Sequence, residues 1–265
     1  MYPVLLKIGK LSLYTYGFFV AAGFVVGITI IRHEAKRLGE DQDKIMDLCF
    51  YVLIAAIVGS RLFYVLTNLS MFILDPLEVF RIWNGGLVFY GGFVVALITA
   101  IIYVKQKEIS LFKTADMMAP ALAMGHAIGR VGCFFAGCCY GKASDLPWAV
   151  TFTNPDSLAP VNIPLHPTQL YSFLTNLTIF IFLWMFRGRK RFDGQIFWVY
   201  VLLYGVTRFF IEVFRGDFRG DLVFGILSIS QAIGGGMVLI SVVMFILLGK
   251  RESKVADRAN STFPK

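Results

Sequence analysis

Residues 45–66 read IMDLCFYVLIAAIVGSRLFYVL, a run of 22 residues in which Asp47 and Arg61 are the only charged side chains. A helix that crosses the hydrocarbon core of a bilayer needs roughly 20 mostly apolar residues. The whole chain shares this character, since 57% of its 265 residues are hydrophobic, 16% are charged and the mean hydropathy is +0.69. Soluble domains carry about 25% charged residues. The composition therefore predicts an all-α polytopic membrane protein.

Further apolar runs of similar length lie on both sides of this stretch. They cover residues 11–31, 86–104, 115–135, 168–186, 194–214 and 222–248. We expect about seven transmembrane helices packed in one bundle, because seven spans and their loops use most of the chain. The whole of 1–265 is then a single transmembrane domain, and its polar end, residues 250–265, is expected to be a loose cytoplasmic tail.

Basic residues predict the orientation, because cytoplasmic loops carry an excess of Lys and Arg. One alternating set of segments holds 16 basic residues, at positions 32–44, 105–113, 187–193 and 250–265. The opposite set holds 6, at positions 1–10, 67–85, 136–167 and 215–221. We therefore expect the amino terminus to lie outside the cytoplasm and the carboxyl terminus to lie inside it. The same excess explains the net charge of +8, so nucleic-acid binding is not expected.

A signal peptide is the competing interpretation of the first apolar run. That run spans about 21 residues, which is too long for the apolar region of a signal peptide, and its basic end is on the wrong side. We therefore expect it to be retained as a transmembrane helix.

Three arginines fall inside or at the edge of apolar runs: Arg61, Arg130 and Arg208. A charge at membrane depth costs roughly 2.5–3.5 kcal/mol even on the most lenient scale. A chain that keeps three such charges is expected to use them against an anion. The alternative is that they pair structurally with Glu212 or with backbone carbonyls.

The fourth run ends in Gly129-Arg130-Val131-Gly132-Cys133, and residues 134–141 (FFAGCCYG) follow. Glycines allow a ligand to approach the backbone closely, and the planar guanidinium of Arg130 matches a phosphate in a bidentate manner. Glycine-mediated helix packing is an equally good interpretation of the same motif.

Two further motifs place polar groups near apolar runs. In residues 165–171 (LHPTQLY), His166 precedes a helix start at Pro167, where anions are favoured. In the sixth run, Tyr204, Arg208 and Glu212 recur every four residues and share one helical face. That face is either a structural ion pair or a phosphate-binding arginine with an orienting carboxylate, and both can hold together.

Taken together, these motifs resemble the prolipoprotein diacylglyceryl transferase family. The resemblance runs in order from the first predicted span to the sixth, and therefore covers nearly the whole chain. It rests on Tyr16-Gly17, Gly59-Ser60-Arg61-Leu62, Asn84-Gly85-Gly86-Leu87 with Gly91-Gly92, Gly129-Arg130-Val131-Gly132, His166-Pro167-Thr168-Gln169-Leu170-Tyr171 and Tyr204, Arg208 and Glu212.

The resemblance implies a bacterial inner-membrane enzyme that transfers the diacylglyceryl group of phosphatidylglycerol to the lipobox cysteine of prolipoproteins and releases glycerol phosphate. Its partners would be phosphatidylglycerol, prolipoprotein signal peptides and membrane lipids, and no cofactor or metal is implied. The predicted catalytic residues are Arg208, Glu212, Tyr90 and His166. The predicted phosphatidylglycerol-binding residues are Arg130, Arg61, Tyr16, Tyr204, Gly129 and Gly132.

The sequence departs from the family at three polar positions. Well-studied members carry His where this chain has Tyr90, Asn where it has Cys133 and Glu where it has Cys138. The general base is therefore open, with Tyr90, His166 and a water held by Glu212 as candidates. The same changes leave room for a paralogue that acts on another thiol or lipid.

Two other function classes fit parts of the sequence. A lipid or anion transporter would also keep arginines within its spans, although the two halves show no inverted repeat. A metal or redox protein could use Cys133, Cys138, Cys139 and His126. On a continuing helix, however, the five-residue gap after Cys133 turns the next cysteine by about 140°, so a tetrahedral site requires the helix to end first.

The cysteines also bear on catalysis. The substrate brings its own thiol, so direct displacement on the glycerol carbon needs no enzyme cysteine, and we expect single Cys→Ser variants to keep substantial activity. A disulfide from Cys133 to Cys138 or Cys139 is the more attractive role, because the periplasm is oxidising.

Overall fold

The computed structural model describes residues 1–8, 11–81, 85–217 and 226–261. In chain order the elements are β1 (Val4–Ile8), β2 (Leu11–Tyr14), α1 (Thr15–Leu38), α2 (Gln42–Thr67), α3 (Leu69–Leu74), α4 (Phe89–Gln106), α5 (Leu111–Ala136), β3 (Val150–Thr151), β4 (Pro164–Leu165), α6 (Thr168–Phe186), α7 (Gln195–Val213) and α8 (Ile229–Ser261). The chain forms two compact units, one of residues 1–30 and 115–265 and one of residues 31–114.

Long apolar helices confirm the predicted all-α membrane architecture. Six described helices are long and apolar enough to span a bilayer, namely α1, α2, α4, α6, α7 and α8. At most 28% of each apolar window is buried inside the protein, so most of these side chains face outward, as lipid contact requires. The seventh long helix, α5, is less apolar because it carries Asp116, His126 and Arg130.

The start of the first predicted span is wrong. Residues 11–14 form β2, which pairs antiparallel with β1 in a hairpin whose register sets Lys7 opposite Ser12. The helix begins only at Thr15, whose amide donates to the Pro3 carbonyl at 2.9 Å. Apolarity over four residues does not distinguish a strand from a helix, which is why the sequence pattern missed the hairpin.

In the first unit, small residues bring helices into close contact. A Cβ on Gly23 of α1 would lie 3.0 Å from the Gly125 carbonyl of α5. A Cβ on Gly205 of α7 would lie 2.9 Å from the Gly234 carbonyl of α8. These contacts leave no room for side chains, so they fix α1 against α5 and α7 against α8 at backbone distance. A buried cluster joins α5, α6 and α7 and consists of Ala119, Ala123, Ile179, Leu183 and Ile196.

A buried carboxylate connects α5 to the start of α7. Asp116 accepts hydrogen bonds from Lys190 Nζ at 3.0 Å and from the amides of Gly194 and Phe197, both at 2.9 Å. Burial lowers the pKa of Lys190, but its hydrogen bonds to Asp193 and Asp116 outweigh that effect and raise the pKa overall. The carboxylate thus satisfies amides at the helix start that would otherwise lack partners.

The loop between α5 and α6 carries the short pair β3 and β4 and a small core of its own. Phe152, Ala159 and Leu165 are almost fully buried there. Gly141 pairs with Arg215 in an isolated antiparallel bridge, and the Lys142 amide donates to the Phe214 carbonyl at 2.9 Å. This loop is therefore attached to the end of α7, which carries the polar stripe.

In the second unit, α2 packs against α4. Asp41 caps α2, since its carboxylate accepts from the amides of Asp43 and Lys44. A Cβ on Gly92 would lie 2.7 Å from the Ala56 carbonyl, so this crossing is also made at glycine. Asn84, part of the motif quoted above, lies outside the described residues.

The last helix is longer than predicted. Helix α8 continues to Ser261, past the end of the last predicted apolar run, and residues 262–265 lie outside the described part. Its final turns contain Lys, Arg, Glu and Ala, which are good helix formers even where no apolar face is present. The expectation of a loose cytoplasmic tail over residues 250–265 stays a prediction.

Candidate active site

Arg130 lies near the end of α5, in the first unit. Its Nε donates to Nε2 of His126, one turn earlier, at 3.1 Å, and the His126 ring lies 5.2 Å from the ring of Tyr204 on α7. Within the described residues, the two terminal nitrogens of Arg130 have no hydrogen-bond partner. The guanidinium is therefore oriented through Nε while its bidentate edge stays available.

The two glycines beside Arg130 have different surroundings. A Cβ added to Gly129 would meet no atom within 4 Å, whereas one added to Gly132 would lie 2.9 Å from the Phe19 Cβ and 3.3 Å from the Tyr16 Cα. Gly132 thus allows α1 to approach α5 closely at Phe19 and Tyr16.

The predicted stripe on α7 forms an ion pair. Arg208 Nη2 lies 2.7 Å from Glu212 Oε2 and donates to the Ser230 hydroxyl at 2.8 Å. The Ser228 hydroxyl donates to Glu212 Oε1 at 3.2 Å. Both charged side chains are nearly buried, at 13% and 7% exposure. The residues just before and within the first turn of α8 therefore orient both members of the pair.

Arg215 is a third guanidinium that the sequence did not single out. It makes a bidentate pair with Asp217, with Nη2 to Oδ2 at 2.7 Å, and its Nε lies 3.8 Å from Glu212. It also lies close enough to Cys139 to interact with it electrostatically. Burial lowers the pKa of Arg215, but the hydrogen bond to Asp217 and the neighbouring Cys139 raise it overall.

The first unit therefore gathers three guanidinium groups and two carboxylates. Arg208 and Arg215 pair with Glu212 and Asp217, whereas Arg130 forms no ion pair within the described residues. The group has one positive charge in excess, and Arg130 carries the cation that remains unpaired there. In a site of low dielectric such a cation attracts an anion strongly.

His166 takes part in a separate polar contact. Its Nδ1 lies 3.2 Å from the Tyr171 hydroxyl, which also accepts from Trp148 Nε1 at 2.8 Å. The adjacent Gly141 amide donates to the His166 carbonyl at 3.1 Å. His166 therefore orders the loop around Gly141, and its predicted catalytic role stays a prediction.

Arg61 lies in the second unit, and there the alternative interpretation applies. Its five N–H groups point at five backbone carbonyls, those of Glu78, Val79, Arg81, Gly85 and Gly86. A guanidinium has five donors, so none is left for a phosphate. These contacts fit the structural alternative, in which Arg61 pairs with backbone carbonyls, and its predicted role in phosphatidylglycerol binding stays a prediction.

Tyr90 also lies in the second unit, in the first turn of α4. Its side chain is 60% exposed, and its ring packs 5.7 Å from that of Phe89. The neighbouring Gly91 is fixed by α2, because a Cβ there would lie 2.7 Å from the Gly59 carbonyl. The predicted catalytic role of Tyr90 stays a prediction.

The three clustered cysteines come together where α5 ends. The sulfur atoms of Cys133, Cys138 and Cys139 all lie within 4.8 Å of one another. All four cysteines are described and none forms a disulfide, so the expected disulfide is not present in the structure. Because α5 ends at Ala136, the objection that a continuing helix would separate these side chains does not apply.

Comparison with known proteins gives the family. A family model described as prolipoprotein diacylglyceryl transferase matches residues 3–247. The chain belongs to the prolipoprotein diacylglyceryl transferase family. A phosphatidylglycerol–prolipoprotein diacylglyceryl transferase of Clostridium tetani is 35% identical over 245 residues, which is 92% of this chain and 97% of that relative.

Other relatives agree with this membership. Enzymes of the same name from Geobacter sulfurreducens and Finegoldia magna are each 34% identical, over 94% and 92% of this chain and 96% and 94% of their own lengths. The resemblance inferred from the motifs is thus confirmed, and the chain is a membrane transferase of this family. Relative to that prediction, His126, Arg215, Asp217, Ser228 and Ser230 are additions from the structure. The single signal in the sequence was that His126 lies four residues before Arg130.

Proposed function

We propose that the chain transfers the sn-1,2-diacylglyceryl group of phosphatidylglycerol to the lipobox cysteine of prolipoproteins, the first step of lipoprotein maturation. The names of its relatives support this substrate pair. The single observation that supports it most is the state of Arg130, whose bidentate edge and charge have no partner among the described residues. The phosphate of phosphatidylglycerol fits that edge.

The chemistry explains why cations are needed. The thiolate sulfur forms a bond to the terminal glycerol carbon of the diacylglyceryl group, and the bond from that carbon to the phosphate oxygen breaks. The electron pair leaves with glycerol phosphate, whose phosphate gains a second negative charge. Donors fixed around the phosphate therefore bind the transition state more tightly than the substrate, and this difference accelerates the step.

In this proposal, Arg130 binds the phosphate and is oriented by His126. Arg208 contributes a second positive charge, and Glu212 with Ser230 holds it in place. Because these donors are already oriented before the substrate arrives, little reorganisation accompanies the growth of charge on the leaving group. Tyr16 and Tyr204 lie beside the same site and would contact the lipid.

The proposed location follows from the substrates. A prolipoprotein reaches the enzyme at the bacterial inner membrane with its lipobox cysteine near the periplasmic side. We infer that the amino terminus and the loop between α5 and α6 are periplasmic and that the end of α8 is cytoplasmic. The distribution of basic residues supports this orientation.

Complementation tests the function directly. A bacterial strain depleted of its own transferase is expected to grow and to lipidate a reporter lipoprotein when it expresses this chain. An Arg130→Ala variant produced at the same level in the membrane is expected to do neither. Growth without lipidation, or no lipidation by the unaltered chain at normal expression, would contradict the proposal.

A further inference from the structure

The most reactive group of side chains outside the arginine site is the cysteine cluster. Cys133, Cys138 and Cys139 have sulfur atoms within 4.8 Å of one another, and no His, Asp or Glu joins that group in the described part of the chain. Three thiols at such distances are an arrangement that a continuing helix could not produce. The structure therefore devotes a specific loop conformation to bringing them together.

That loop conformation is strained and is held by buried polar groups. Cys139 has a φ of 61° and follows Gly137 at 76°, so a residue with a side chain occupies the left-handed region. The Thr168 hydroxyl donates to the Cys139 carbonyl at 2.7 Å, and Gln169 Nε2 donates to the Cys138 carbonyl at 2.9 Å. Both of those side chains are fully buried. Strain that surrounding bonds maintain in this way is typical of functional sites.

The geometry suits a soft divalent cation. Zinc binds cysteine sulfur at about 2.3 Å with tetrahedral geometry, which sets the sulfur atoms roughly 3.8 Å apart. Movement of the side chains by less than about 1 Å would bring three sulfurs from the observed limit to that spacing. Three thiolates and one Zn²⁺ carry one net negative charge, and the guanidinium groups of Arg130 and Arg215 both lie near enough to Cys139 to interact with it electrostatically.

We propose that Cys133, Cys138 and Cys139 bind one Zn²⁺ and that its fourth position takes the lipobox thiol. Catalytic zinc sites have three protein ligands and an open position, unlike closed structural sites. A thiol that coordinates zinc is deprotonated, and the thiolate is the nucleophile that the reaction needs. The proposal rests on the proposed function for the identity of this fourth ligand, but the three-cysteine site itself does not.

Diacylglyceryl transfer by this route needs no general base from the enzyme. The substrate thiol releases its proton to solvent when its sulfur coordinates, as metal binding to cysteine requires. The sulfur then forms the bond to the glycerol carbon as glycerol phosphate leaves with the electron pair of the broken carbon–oxygen bond. The thioether product is a weaker ligand than a thiolate and dissociates, which opens the fourth position again.

The position of the cluster supports this role. Cys133 lies three residues after Arg130, on the same face of α5. A thiolate held by the cysteines and a phosphate held by Arg130 would thus be neighbours. The proposal replaces the expectation that every single cysteine is dispensable.

Metal binding to the purified full chain in detergent is the first test. After chelation, the protein is titrated with Zn²⁺, and with Co²⁺ as a spectroscopic probe that gives a sulfur-to-metal charge-transfer band. We expect one equivalent to bind. We expect Cys133→Ser, Cys138→Ser and Cys139→Ser each to weaken binding by more than about 100-fold, since even outer-shell partners contribute roughly 10–100-fold. Cys49→Ser, a cysteine in α2, is the matched control and should bind normally.

The fourth position is tested with peptides. A lipobox peptide is expected to shift the Co²⁺ band, and the same peptide with Ser in place of its cysteine is not. Metal-free enzyme is expected to lose thioether formation and to regain it with Zn²⁺. If metal-loaded enzyme never forms a thioether, the proposed function fails. The Co²⁺ titration still shows whether the three cysteines bind a metal ion.

Three results would overturn the proposal. The first is metal binding that is substoichiometric or unchanged in all three Ser variants. The second is a disulfide among the three cysteines in protein whose thiols were alkylated in the membrane, because a disulfide removes two ligands. The third is full transferase activity in enzyme that contains no metal, which would remove the role in thiol activation.

Discussion

The Arg208 guanidinium and the Glu212 carboxylate lie 2.7 Å apart, one turn from each other on α7, and both are almost excluded from solvent. Removing one partner of a buried pair leaves an uncompensated charge, at a cost of about 3–5 kcal/mol. Arg208→Gln and Glu212→Gln should therefore each lower thermal stability in detergent, and the double variant should lose less than the sum of the two. Additive losses would show that the pair is not coupled.

The same variants distinguish the contribution of Arg208 to stability, through its ion pair, from its contribution to catalysis. If Arg208 stabilises the leaving phosphate, the double variant recovers stability but not diacylglyceryl transfer. The measurement is transfer to a lipobox peptide at equal amounts of folded protein. Recovery of transfer in the double variant would indicate that Arg208 has a structural role only.

Substitution of Arg61 is expected to lower stability, whereas substitution of Arg130 is expected to lower transfer without changing folding. Since its donors satisfy five backbone carbonyls, Arg61→Lys should destabilise the second unit, because an ammonium has only three donors. Each carbonyl left unsatisfied costs about 1–3 kcal/mol. Thermal unfolding checks this, with the exposed Arg32→Lys as control. A stable Arg61→Lys protein that binds phosphatidylglycerol poorly would instead support the predicted role of Arg61 in substrate binding.

Lys190 predicts a pH dependence of stability. Its folded pKa is raised by Asp193 and Asp116, so its contribution is fully present below the unfolded value of about 10.4. That contribution is lost as the pH rises through the higher folded pKa. The stability difference between wild type and Lys190→Met should therefore be constant near neutral pH and should shrink in strong alkali. A difference that grows with pH in that range would contradict the assignment.

The sequence predicted the helices well because their signal is local. Runs of about 20 apolar residues identified seven long helices in the right order, and the spacing of four between Arg208 and Glu212 predicted their contact. What it missed depends on backbone geometry. The hairpin before Thr15 is set by strand pairing, and the cysteine cluster is set by the left-handed turn at Cys139.

The roles of the arginines could not be separated by sequence for the same reason. Arg61 and Arg130 both lie beside glycines in apolar runs, and each was predicted to bind phosphate. The difference is that backbone carbonyls accept from every donor nitrogen of Arg61, whereas among the described residues Arg130 donates to His126 alone. Such contacts depend on tertiary structure, which composition and spacing do not contain.

The proposed orientation can be tested by fusion. A reporter fused after Lys265 should report the cytoplasm, and one inserted near Asp156 should report the periplasm, because the segments on the cytoplasmic side carry 16 basic residues against 6. A third reporter between α6 and α7, within residues 187–193, is the internal control and should agree with the first. The reverse assignment would place Arg130 on the side where no exported lipobox cysteine emerges.

The central claim is that Arg130 binds the phosphate of the departing glycerol phosphate, and reconstitution tests it most directly. Wild type, Arg130→Ala and the control Arg32→Ala are placed in vesicles containing phosphatidylglycerol with a lipobox peptide, and thioether peptide and glycerol phosphate are both quantified. We expect wild type and the control each to form thioether peptide and glycerol phosphate in equal amounts, and at the same rate as each other. For Arg130→Ala we expect a loss of roughly 100-fold or more with unchanged folding, as for a fixed donor to a developing anion. Transfer by Arg130→Ala at the wild-type rate would contradict the account.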